Sequence, residues 1–156
     1  LLVTITGITA AENQAYREGR SRRSRTGTAP LLVEQLILET AELLADAEDR
    51  ATFRCRLRPG EARDRTAAFL RATLVVHKPT RTIESVELTN TGPFSPTFGV
   101  TITEMTTRLA YSLPDETRPS LPQQVTTRVR GRAFWLVSLD EEMTVTFSDY
   151  AAPGRP

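Results

Sequence analysis

From Phe69 to Tyr150 the chain carries four or five runs in which apolar and polar residues alternate, each run separated from the next by turn-forming residues. A period of two puts successive side chains on opposite faces of a strand, so this half is constrained to be an antiparallel sheet with one committed inner face. Leu70, Ala72, Leu74 and Val76 share a face of the first run. Phe69–His77 and Thr82–Asn90 flank Lys78-Pro79-Thr80-Arg81, the pattern of a β-hairpin. Asn90–Pro96 follows as a loop in which Phe94, between Gly92-Pro93 and Ser95-Pro96, is placed as an aromatic plug. In the long run Thr97–Ser112 the inner set changes from Phe98, Val100 and Ile102 to Met105, Leu109 and Tyr111. A strict alternation cannot switch faces without an extra residue, which predicts a bulge near Thr103–Thr106. After a proline-rich surface loop, Leu113–Pro122, the residues Val125, Val129, Ala133, Trp135 and Val137 read as one face and Arg128, Arg130 and Arg132 as the other. Ser138–Glu142 reads as a turn, and Met143, Val145 and Phe147 continue the core.

The first 68 residues read differently. Leu1–Thr6 is β-branched and apolar and suits a short strand, and Thr9–Tyr16 suits a short helix. Residues 17–28 crowd Arg17, Arg20, Arg22, Arg23 and Arg25 among Gly and Ser, which predicts a mobile Arg-rich loop or, functionally, a patch for phosphate or anionic lipid. From Pro30 to about Asp49, the residues Leu32, Val33, Leu36, Ile37, Thr40, Leu43, Leu44 and Ala47 recur at three- and four-residue spacings, with Thr28 as N-cap. That spacing predicts the main amphipathic helix, its acidic side (Glu34, Glu39, Glu42, Asp46, Glu48) in water. Phe53, Cys55 and Leu57 then alternate with Arg54 and Arg56 before Pro59-Gly60 turns the chain.

Charge and composition narrow the chemistry. The 156 residues are one domain's worth, residues 1–156, ending in a frayed tail at 151–156. Twenty basic and nineteen acidic residues leave a formal charge of +1, which gives no general attraction for nucleic acid. Cys55 stands alone, so an intrachain disulfide and a multi-cysteine zinc site are excluded, and the thiol reads as a small buried filler. His77 is the single histidine, and no Gly-x-Ser-x-Gly elbow exists to place a nucleophile beside it. Asp140-Glu141-Glu142 reads as part of a tight turn and Asp115-Glu116 as part of a surface loop, where water solvates the carboxylates and no raised pKa suited to general acid work is expected. Neither a phosphate-binding glycine loop nor a dinucleotide fingerprint is present. The expectation is therefore a non-enzyme without metal or cofactor. No stretch approaches the roughly 20 apolar residues of a membrane-spanning helix. The start at Leu-Leu-Val rather than Met suggests a processed or truncated end.

The succession Leu74-Val75-Val76-His77, Ile83-Glu84-Ser85-Val86-Glu87-Leu88, Ile102-Thr103-Glu104-Met105, Gly131-Arg132-Ala133-Phe134-Trp135 and Thr144-Val145-Thr146-Phe147-Ser148-Asp149-Tyr150 resembles the C-terminal sheet of the lipoprotein-carrier superfamily of bacterial envelopes. The resemblance is one of strand rhythm and covers residues 69–150. It implies a bent, incomplete antiparallel barrel closed by helices, whose hollow receives acyl chains in the periplasm or envelope. A cytoplasmic location is also compatible with the composition.

Together these readings predict an α+β domain: a strongly curved antiparallel half-barrel of about six strands with one main helix packed on it. The expected function is non-catalytic binding of a hydrophobic small molecule or lipid, with Leu36, Leu44, Phe98, Met105, Trp135 and Met143 lining the site. The alternative is a packed interaction module whose Arg faces, Arg17 to Arg25 and the row Arg128, Arg130 and Arg132, dock an acidic protein, such as an envelope protein, or an anionic membrane surface.

Overall fold

The computed structural model describes residues 2–6, 35–59 and 66–150. The expectations for residues 9–16, 17–28 and 151–156 fall outside them. Among the described residues the regular elements are eight strands and a one-turn 3-10 helix, Thr66–Phe69. The strands are β1 (Leu2–Thr6), β2 (Leu36–Asp46), β3 (Arg50–Leu57), β4 (Leu70–His77), β5 (Thr82–Asn90), β6 (Val100–Tyr111), β7 (Pro122–Ala133) and β8 (Val137–Ser148). They form one antiparallel sheet in the order β1-β8-β7-β6-β5-β4-β3-β2. From β2 to β8 each strand lies beside its predecessor as a meander, and β1 adds to the far edge against β8. The sheet is open, with β1 and β2 at its two edges. The architecture is all-β with eight strands, which corrects the expected α+β fold of about six.

The expected main helix is the largest correction. Leu36–Asp46 is an edge strand, and residues 30–34 of the expected helix lie outside the described residues. Two interruptions of the β2–β3 ladder account for the misleading spacing. Ile37 pairs with Arg56 but Glu42 with Arg54, and Leu43 pairs with Phe53 but Ala45 with Thr52, so β2 carries extra residues at both places. Inserted residues break the period of two and set apolar positions three and four apart, as in a helix. Thr40 stabilises the longer interruption: its Oγ1 donates to Ile37 O at 2.6 Å and accepts from Arg56 N at 2.9 Å, replacing ladder bonds with a side chain. Leu, Glu and Ala favour helices by only a few tenths of a kcal/mol each, about the scale that pairing with β3 overrides. The acidic side chains on this edge also discourage another chain from adding to it.

The remaining strands follow the alternation. Register places Ala51, Phe53 and Cys55 on the same face as Val76, Leu74 and Ala72 of β4, and these in turn beside Ile83, Val86 and Leu88 of β5. Leu36, Cys55, Ala72, Leu74 and Val86 form a buried cluster there, with Ile83, Leu88 and Tyr111 packed against it. Truncating a buried leucine in such a cluster typically costs about 2–5 kcal/mol. Phe94 is buried, stacks on Phe69 at 5.5 Å between ring centres, and exchanges backbone hydrogen bonds with Ile102, as a plug should. The register shift between Ile102 and Glu104 puts the β6 bulge at Thr103, within the expected interval. Beside it Gly131 is obligatory, because a Cβ there would sit 2.2 Å from Thr101 O.

One turn differs from expectation. The β7–β8 hairpin closes at Phe134-Trp135, with Leu136 N donating to Ala133 O, and Ser138–Glu142 belongs to β8. The alternation that runs through Val129, Gly131 and Ala133 stops at the turn, so Trp135 does not reach the inner face.

Candidate functional site

Register assigns the two faces opposite chemistry. One carries Thr73, Glu87, Arg108, Thr126, Arg128 and Glu142, the other the apolar set that continues from the β2–β5 cluster across the sheet. On β6–β8 that apolar face is made by Met105, Leu109, Val125, Val129, Leu139, Met143, Val145 and Phe147, interrupted by Glu141. Thr107 and Thr127 also lie on it, but their hydroxyls bond each other at 3.2 Å, which lowers the polarity they present. Val145 is buried, whereas Met105, Leu109, Val125, Val129 and Met143 keep partial exposure.

The face ends in an open pocket of about 430 Å³ between β2, β3 and β4, mainly apolar and lined by Leu43, Ala51, Phe53 and Val76. Lys78, Arg81 and Asp46 stand at its border. The two cations differ in availability. Lys78 Nζ donates to Ala47 O at 2.6 Å and pairs with Asp46, so its charge is matched. Arg81 is exposed, carries a φ of 54°, and its guanidinium has no partner among the described residues. The backbone of the β4–β5 turn therefore holds one uncompensated cation beside an apolar hollow.

The structure separates the residues expected to line a cavity. Leu36 is in the buried cluster and Leu44 is 41% exposed on the edge strand β2. Met105 and Met143 share the apolar face on β6 and β8, either side of β7. Phe98 and Trp135 are 90% and 86% exposed, beyond the strand ends. The residues that sequence reasoning missed are Leu43, Phe53, Val76 and Arg81. Each lay in a segment already read as strand, turn or helix, and only the pairing of β2 with β3 and β4 brings them together.

The arginine row is on the polar face of β7, as expected, but it is matched from both sides. Arg130 reaches Glu104 on β6 at 3.2 Å and Asp140 on β8 at 3.4 Å, and Arg128 reaches Glu142 at 3.4 Å. These exposed pairs are each worth about 0–1 kcal/mol and neutralise most of the row. Arg132, the last of the three, is exposed and has no ionic partner among the described residues.

His77 Nδ1 lies 2.7 Å from Thr80 Oγ1, which is 2.8 Å from Thr82 Oγ1. Hydroxyls alone cannot complete a nucleophile–base–acid relay there. A second, more polar cleft of about 600 Å³ lies where Ser112, Asp115, Arg118, Gln123, Asp149 and Tyr150 converge. Asp115 organises its rim by accepting from the Thr117 hydroxyl at 2.7 Å and from the Thr117 and Arg118 amides at 2.8 and 2.9 Å. The Thr117 hydroxyl first, then these amides and the Arg118 charge, hold its carboxyl down to about 2. An acid so firmly ionised and capped is a loop fastener rather than a proton donor. Burial raises the Cys55 thiol and the Tyr111 phenol above their ordinary values, the opposite of activation.

No protein-family model matches the chain, and comparison with curated proteins and with solved structures finds no significant match to it.

Proposed function

We propose that the apolar face of the sheet holds a hydrophobic ligand, a lipid or acyl chain, without catalysing a reaction on it. The observation that carries this reading is the pocket over Leu43, Phe53 and Val76 opening beside the unpaired guanidinium of Arg81. Its volume of about 430 Å³ lies within the range of small-molecule sites, roughly 300–1,000 Å³. An apolar floor takes a hydrocarbon chain, and Arg81, the one border cation free of a partner among the described residues, selects chains that end in an anionic head. Partly exposed Met105 and Met143 suit a surface that adapts to more than one chain, because the thioether side chain is unbranched and polarisable. The same strand rhythm that resembles envelope lipoprotein carriers supports a site of action in the bacterial envelope.

A fluorescent fatty acid tests the reading, with oleate and oleyl alcohol as competitors. Leu43 is 53% exposed, so Leu43→Glu is expected to leave the fold intact and weaken oleate binding about tenfold or more, the loss of about 1.4 kcal/mol of contact. Arg81→Asn keeps a residue that tolerates positive φ and is expected to weaken oleate while sparing oleyl alcohol. Binding that ignores both substitutions would contradict the site.

A further inference from the structure

At the end of the sheet opposite Arg81, the β7–β8 hairpin turns through Phe134 and Trp135, with φ of 48° and 60°. Ala133 pairs with Val137, so the connection has three residues, and within it the turn Ala133–Leu136 has positive φ at both central positions, where Asn and Gly are favoured because an L side chain crowds the following carbonyl. Here both central positions are large aromatics. Neither is placed there to be buried: Phe134 is 58% exposed, Trp135 86% and Leu136 91%. Phe98, 90% exposed, projects from the β5–β6 loop alongside.

The two loops are fastened into one prong. Phe134 N donates to Gly99 O at 2.6 Å, and the Phe134 ring lies so close to Gly99 that a Cβ there would come within 2.5 Å of it. The prong is also free of carboxylates: between Ser95 and Thr101, and between Gly131 and Ser138, the sole charged residue is Arg132. The nearest acids along the strands, Glu104 and Asp140, are held by Arg130.

We propose that this prong is a membrane-interface anchor, in which Phe98, Trp135 and Leu136 enter the boundary between headgroups and acyl chains while Arg132 meets lipid phosphates. A fluid interface explains the shape better than a protein partner does. The apolar side chains form a projection with three of them 86–91% exposed, whereas protein interfaces set an apolar centre inside a hydrogen-bonding rim. Tryptophan with arginine close behind is the combination that settles at the headgroup level of bilayers, and a lone cation favours anionic lipid. The proposal uses none of the pocket residues and stands apart from the ligand reading.

Trp135 is the single tryptophan, so its emission reports this site alone. The protein is mixed with vesicles of phosphatidylethanolamine and phosphatidylglycerol, and both emission and co-flotation are followed. The expected result is a blue shift, protection from acrylamide quenching and co-flotation that weakens with salt. The double change Phe98→Ser with Leu136→Ser, both at exposed positions, is expected to lower partitioning at least tenfold with the circular dichroism unchanged. Arg132→Ser is expected to remove the preference for phosphatidylglycerol over phosphatidylcholine vesicles. Emission that stays unshifted at lipid excess, or partitioning that survives the double change, overturns the anchor. So does a shift produced by a purified envelope protein and not by lipid, which would assign the prong to a protein partner.

Discussion

Replacing Trp135 by glycine tests how the β7–β8 turn is built, because two accounts of this residue differ by several kcal/mol. The side chain is 86% exposed, so its removal returns only about 35 Å² to water, roughly 0.9 kcal/mol at ~25 cal/mol/Å². Glycine relieves the positive φ of 60°, a gain of about 1–2 kcal/mol, and gives back about 0.5–1 kcal/mol through the greater freedom of the unfolded chain. The contributions nearly cancel, and Trp135→Gly is expected to change stability by less than about 1 kcal/mol. An interior tryptophan lining a cavity would instead lose about 3–5 kcal/mol on truncation. Urea unfolding followed by far-ultraviolet circular dichroism measures the difference, since the variant has no tryptophan emission. A shift equivalent to a loss of about 3 kcal/mol would refute the exposed-turn geometry and return Trp135 to the core.

Three further outcomes are expected. Gly131→Ala drives a Cβ to 2.2 Å from Thr101 O, a backbone atom that cannot step aside, so urea unfolding should show a loss of at least about 2 kcal/mol and local loss of β6–β7 hydrogen-exchange protection. Asp115 has its folded pKa lowered to about 2 from 3.8, so its fastening of the loop is complete above the unfolded value and is lost as pH falls through about 2. The Thr117 and Arg118 amide signals should titrate with that lower midpoint; a midpoint near 3.8 would show that the hydrogen bonds are absent. Cys55 is 3% exposed with its thiol raised by burial, so a thiol reagent should modify the native protein far more slowly than the urea-unfolded chain, and equal rates would contradict its place in the core.

How much of this was legible in the sequence depends on whether side-chain alternation survives in each segment. β4 and β5 keep it almost without interruption, and the hairpin at Lys78–Arg81 was readable at the residue level. The Thr103 bulge was readable because it is needed to keep Ile102 and Met105 on one face. β2 was not, because its extra residues convert a strand's period into a helix's and its Leu, Glu and Ala content agrees with the wrong answer. Trp135 continued the period of β7 on paper, and nothing local announces a turn built from Phe and Trp where Asn and Gly are usual. The pocket could not be read from any one segment. Leu43, Phe53 and Val76 lie on three different strands, far apart in sequence, and only strand pairing makes them neighbours. The arginine row was visible, but the acids that match it come from β6 and β8, and cross-strand register is not written in the spacing of one strand.

The most direct test of the account is native mass spectrometry of the protein purified from a bacterial host, followed by organic extraction and titration with oleate. The account predicts a co-purified apolar molecule at up to one per chain, or stoichiometric uptake of oleate by an emptied protein, with the bound mass lost in Leu43→Glu. A protein that emerges empty and also fails to take up oleate, while its sheet remains folded, would contradict ligand binding on the apolar face.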